Sequence, residues 1–151
     1  MEVEKCYAPL PDGSVLYYEK TGSGRPLFLL HGNGGSSAYF SKQVDALRQK
    51  HQLYLIDSRG HGKSTNTQKK IDFFKMATDL LAIIQQEKLT KIALLGFSDG
   101  ANLAMVFCHL YPEHVSCMIL NSGNTEPRGV RLFSRIGSVL QYLIVWLCSP
   151  F

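Results

Sequence analysis

Four short, largely apolar runs set the rhythm of this chain: Leu27 to Leu30, Leu53 to Ile56, Ile92 to Leu95, and Ser116 to Leu120. Each is short for a helix and shows little polar alternation, the pattern of strands buried on both faces. Stretches of helical character lie between them. One runs from about Tyr39 to Gln49. In a second, Phe73, Ala77, Leu80, Leu81 and Ile84 mark one face of a helix reaching about Glu87. A third covers Ala101 to Tyr111 and stops at Pro112, which cannot continue a helix. Ahead of all these, Glu4 to Tyr7 and Val15 to Glu19 are strand candidates, with Asp12-Gly13 between them as a hairpin signal. Strands alternating with helices predict an α/β fold. Its sheet is mostly parallel, helices flank both faces in three layers, and a hairpin opens the chain.

Parallel strands deliver their following loops to one edge of the sheet, where open α/β sheets place ligands. Here those loops are His31-Gly32-Asn33-Gly34-Gly35-Ser36-Ser37, Asp57-Ser58-Arg59-Gly60-His61-Gly62-Lys63-Ser64, Gly96-Phe97-Ser98-Asp99-Gly100, and the turn after Asn121. The third is G-x-S-x-G set between a strand and a helix. That setting holds the serine in a strained turn and pushes its hydroxyl off the sheet edge. The first loop can carry backbone N–H groups close to Ser98. Acyl transfer needs such donors, aimed at the oxygen that becomes negative when a hydroxyl attacks a carbonyl. The N–H of Asp99 is one candidate donor and that of Asn33 the other. His31, beneath a strand end, reads as a buttress for its loop rather than a base. The plainer readings are a serine in an ordinary strand-to-helix turn and a merely Gly-rich loop.

Three of these stretches, His31 to Gly34, Asp57 to Ser64 and Gly96 to Gly100, arrive in the order found in the α/β-hydrolase fold family, which the chain resembles over roughly residues 12 to 130. The resemblance implies Ser98 as nucleophile, with Asn33 and Asp99 donating to the oxyanion, and gives the Asp57 stretch a bracing role. The family's triad runs serine, acid, histidine. After Ser98 only His109, inside a helix, and His114, away from the catalytic edge, remain. Glu126 follows the strand ending near Asn121, where a minority of the family carries the acid, but no histidine is left for it to orient. The expectation is therefore an incomplete α/β-hydrolase fold, with residues 1–127 the N-terminal part of the core and 128–151 the start of a lid. On the order of 100 residues of βα units and lid would follow. The isolated chain would be nearly inactive, and its strand edge at Met118, Ile119 and Leu120 would invite self-association. Serine rather than aspartate at the centre of the elbow argues against the family's epoxide and haloalkane hydrolases. An ester, thioester, lactone or related small molecule is implied. Leu140, Leu143, Ile144 and Trp146 in the lid segment hint at an apolar acyl or ring group.

Composition narrows the picture slightly. Sixteen basic against twelve acidic residues give a net charge of +4 without a basic block, which does not suggest nucleic acid. The start, Met1 to Lys5, lacks the apolar core of a signal peptide. Cys6, Cys108, Cys117 and Cys148 lack metal-ligand spacing and read as reduced packing residues of a cytoplasmic protein. The apolar stretch near the C-terminus is short of the roughly 20 residues a membrane span needs. No cofactor or metal is implied. Two other readings stay open. Gly62-Lys63-Ser64 imitates a phosphate loop, but Asp57 stands where that motif needs glycine, and a dinucleotide fingerprint starting at Gly32 fails at Ser37. A remnant with the fold and no working triad is the other.

Overall fold

A computed structural model describes residues 2–124; residues 128–151, expected to begin a lid, and with them Cys148, lie outside that range, as does Glu126. In chain order the regular elements are β1 (Glu4–Pro9), β2 (Val15–Gly22), β3 (Arg25–Leu30), α1 (Val44–Leu47), β4 (His51–Ile56), α2 (Phe73–Gln86), β5 (Ile92–Phe97), α3 (Asp99–Leu110) and β6 (Val115–Asn121). The strands form one sheet in the order β1-β2-β4-β3-β5-β6. The hairpin strand β1 is antiparallel to β2, and β2 to β4, while β4, β3, β5 and β6 run parallel. This is the expected mixed, mostly parallel sheet.

Side chains alternate across it, as strand geometry requires. Phe28, Leu30, Tyr54, Ile56, Ile92 and Leu94 face α2 and α3 and form the larger core. Leu27, Leu29, Leu53 and Leu55 face the other way and pack with Phe40, Val44 and Leu47. Because β3 and β4 are buried on both faces, their sequences read as unbroken apolar runs.

Two expectations about the helices need correcting. The stretch from Tyr39 to Gln49 is not one helix. A 3₁₀ turn covers Ser37–Phe40, and the single-turn α1 follows. Of this stretch only Phe40, Val44 and Leu47 join the core. No side chain caps the start of either piece, so little favours a longer helix. On α2 the fully buried face is Ala77, Asp79, Leu80, Ile83 and Ile84, so Ile83 takes the place assigned to Leu81, and a carboxylate sits in the core beside them. Cys117 departs from a packing role as well, since it is exposed on β6. Among the described residues β6 pairs on one side only, and Ile119 and Leu120 are exposed there. No helix among the described residues is long and apolar enough to cross a membrane.

Candidate active site

The turn from β5 into α3 is very sharp. Ser98 sits in it at φ 53° and ψ −118°, a left-handed conformation that costs a non-glycine residue about 1–3 kcal/mol. Three hydrogen bonds hold it there. Its N–H donates to the Asn121 carbonyl at 2.8 Å, and its own carbonyl accepts from Ala101 N–H at 2.9 Å and Asn102 N–H at 3.1 Å. Close packing enforces the turn, because a side chain at Gly100 would run into the backbone carbonyls of Leu30 and His31. The loop after β3 is pressed against the serine in the same way. A Cβ at Gly32 would lie 3.1 Å from the Ser98 Cβ and 3.1 Å from the Phe97 ring. The loops after β3, β5 and β6 therefore meet at Ser98.

The loop after β4 joins them through His31. Ser58 N–H donates to His31 Nε2 at 3.0 Å, so the ring proton resides on Nδ1, which donates to the Gly32 carbonyl at 2.7 Å. With both ring nitrogens engaged and the side chain buried, His31 is the expected buttress. Burial holds its pKa below the ordinary 6.5, with a smaller push from His61 and against the pull of the Gly32 carbonyl. An unfolded chain takes up this proton near 6.5 while the folded one resists it. The stability His31 contributes is therefore intact above 6.5 and declines as pH falls below it, by at most about 1.4 kcal/mol per pH unit. Thermal melts between about pH 7.5 and 5 should show this decline in the native chain and a flatter profile in His31→Gln.

The Asp57 stretch is a brace. Asp57 Oδ1 accepts Ser37 N–H at 2.6 Å and Oδ2 accepts Lys63 N–H at 2.8 Å, leaving neither oxygen for catalysis. Arg59 is wholly buried. Its Nε and Nη2 donate to both oxygens of Asp79 at 2.6 and 2.7 Å, and its Nη1 donates to Asp12 and Ser14, each at 2.7 Å. The hairpin loop, the loop after β4 and helix α2 are thereby tied to one guanidinium.

Between these loops and the start of α2 lies a cavity of about 490 Å³. Gly32, Asn33, Ser58, His61 and Asp99 form its polar side. Asn33 and Asp99, whose N–H groups are the expected oxyanion donors, both line this cavity, and Asp99, as the first residue of α3, has no partner for its N–H within the helix. Ser98, next to Asp99 in the chain and packed against Gly32, is not itself part of the lining. No described residue hydrogen-bonds to its Oγ. His114 is engaged elsewhere, with Nδ1 2.9 Å from the Thr90 carbonyl, and His109 stands exposed in the last turn of α3. Ile71, Phe73 and Met76 also line the cavity. Of these only Phe73 was legible in the sequence, as part of the apolar face of α2; Met76 is not among the residues marking that face, and Ile71 belongs to a non-periodic loop.

A strand–elbow–helix turn with a donor loop folded over it is shared with a large group of proteins. A family model for the alpha/beta hydrolase fold matches residues 25–138. Ethanol acetyltransferase 1 of Kluyveromyces marxianus is 32% identical over 122 residues, covering 78% of this chain and 33% of the relative. Proline iminopeptidase of Heyndrickxia coagulans is 33% identical over 109 residues, covering 70% of this chain and 37% of the relative. Among solved structures, the esterase EaEST of Exiguobacterium antarcticum superposes with a TM-score of 0.79 at 28% identity, over 91% of this chain and 55% of that one. The chain spans about a third of the length of these two curated relatives. With most of its length matched by the family model, and with the sheet order described above, the chain belongs to the α/β-hydrolase fold family.

Proposed function

We propose that this chain carries the nucleophile and oxyanion-binding half of a serine hydrolase acting on ester-like small molecules. The observation that carries the reading is the strained Ser98 at the β5–α3 elbow with Gly32 packed on it. In the reaction, the Ser98 hydroxyl gives its proton to a base as Oγ bonds to the substrate's carbonyl carbon. The carbonyl oxygen, now negative, is held by the N–H groups of Asn33 and Asp99. Collapse expels the leaving alcohol, which takes a proton, and leaves an acyl group on Ser98. Water then releases it; an alcohol in place of water would give transfer, the activity named for the acetyltransferase relative. The base and its orienting acid are assigned to residues outside 2–124, because no described histidine or carboxylate bonds to Ser98 Oγ.

Without a base the serine keeps an alcohol's poor reactivity, so the 151-residue chain should turn over an activated aryl ester only slowly. An oxyanion hole and binding alone leave a residual ~10³ to 10⁴ over water in an intact serine protease. Stopped assays should show this slow turnover still above the solvent rate in Ser98→Ala, since the oxyanion donors and binding alone support it, and changing less than about twofold in His114→Ala and Glu126→Ala. A large loss in either of the last two would assign the missing base or acid to them and overturn that part of the reading.

A further inference from the structure

We propose that the cavity beside Ser98 selects uncharged substrates, lodging an apolar group against the start of α2 and turning away groups that carry a carboxylate or phosphate. This deepens the reading above and rests on it. At about 490 Å³ the cavity is in the range of small-molecule sites. Its walls are unlike one another. The polar wall, with Asn33 and Asp99, is where a reacting carbonyl belongs. The opposite wall is Ile71, Phe73 and Met76. Phe73 and Met76 are partly buried against the main core, while Ile71 leaves 41% of its surface in water. A bound apolar group would cover that surface.

Charge sets the second half of the preference. Asp72, between Ile71 and Phe73 in the chain, and Asp99 both line the cavity, and no lysine or arginine is among the described lining residues. Asp72 is held in place, because its Oδ1 caps α2 by accepting Lys75 N–H at 2.8 Å. The Lys75 ammonium does not offset it. That group lies 3.6 Å from Asp12 and 4.0 Å from Asp79, the two carboxylates that also bind Arg59. An anionic group entering here would lose water and meet two carboxylates without a counter-ion, a selection made by repulsion as much as by fit.

Two ligands of equal length test this: hexyl methyl ketone, and the same ketone ending in a carboxylate, 7-oxooctanoate. Both present a carbonyl and neither has a bond to cleave. Titrations of the full chain followed by NMR, at about pH 8 and low salt, give both affinities. Native chain should bind the uncharged ketone at least about tenfold more tightly, with shifts at Gly32, Asn33, Ile71 and Phe73, and added salt should narrow the gap. Asp72→Asn keeps a helix cap and should improve binding of the keto acid alone. Ile71→Lys, at an exposed position whose replacement leaves the core intact, should invert the preference. Equal binding by the native chain, no saturable binding of either ligand, or a gap untouched by both substitutions would overturn the proposal. Failure of the nucleophile reading looks different. Discriminating binding without reaction at Ser98 would sink the nucleophile and keep the pocket, whereas reaction at Ser98 without discrimination would sink the pocket's selectivity alone.

Discussion

Asp79→Ala should destabilise the fold by roughly 3–5 kcal/mol, the cost of removing one partner from a buried ion pair. Arg59 is the largest side chain in the structure with essentially no exposed surface, and Asp79, itself buried, neutralises it through two parallel hydrogen bonds. Alanine would leave the guanidinium in the core with Asp12 and Ser14 as its close partners on one nitrogen. The damage should reach the cavity too. Arg59 anchors the loop that carries Ser58 and His61, and Asp79 lies one turn beyond Met76 on α2. Urea unfolding curves of the native chain, Asp79→Ala and Asp12→Ala measure this. Asp12 shares its end of the network with solvent, so its replacement should cost clearly less. Equal, small losses in both would mean the arginine finds water or another partner and is not held as described.

Ser98→Gly should raise stability over Ser98→Ala by a net of roughly 0.5–2 kcal/mol while abolishing any reaction at this position. Both substitutions remove the hydroxyl, and neither removes a helix cap, because the Ser98 side chain makes no capping bond to α3. They differ in what φ 53° and ψ −118° costs. Alanine keeps the strain that serine carries, whereas glycine adopts such angles freely. Part of the gain is returned through glycine's greater freedom in the unfolded chain, about 0.5–1 kcal/mol. Thermal melts of the two variants should differ by a few degrees, glycine the higher. Alanine the equal or better of the two would mean the elbow is unstrained.

Much of this arrangement was legible in the sequence because it depends on local rules. A short apolar run such as Leu27 to Leu30, bounded by turn residues, reads as a strand buried on both faces, and Pro112 cannot continue the helix before it. The elbow could be read because glycines at 96 and 100 flank Ser98 between a strand and a helix. Loop convergence at His31, Ser58 and Ser98 followed from parallel pairing alone. What stayed hidden depends on contacts far apart in the chain. Asp79 reads as a polar break in the α2 face until Arg59, twenty residues earlier, is placed against it. Ile71 belongs to a loop without periodicity, so its place in the cavity wall follows from the fold and not from its neighbours. The stretch after Tyr39 carries a helical spacing of apolar residues, yet too few of them reach the core to hold one continuous helix.

Reaction of the chain with an activated alkyl fluorophosphonate, followed by peptide mapping in the mass spectrometer, tests the assignment of the nucleophile most directly. The fluorine is displaced by a hydroxyl oxygen, so the adduct marks the residue that attacks, even when the reaction takes hours. The expected result is one slow adduct on Ser98, absent in Ser98→Ala, unchanged in His114→Ala, and lost on prior unfolding in urea. An adduct on another residue, or labelling of Ser98 that proceeds equally fast in the unfolded chain, would contradict the reading of this elbow as a catalytic site.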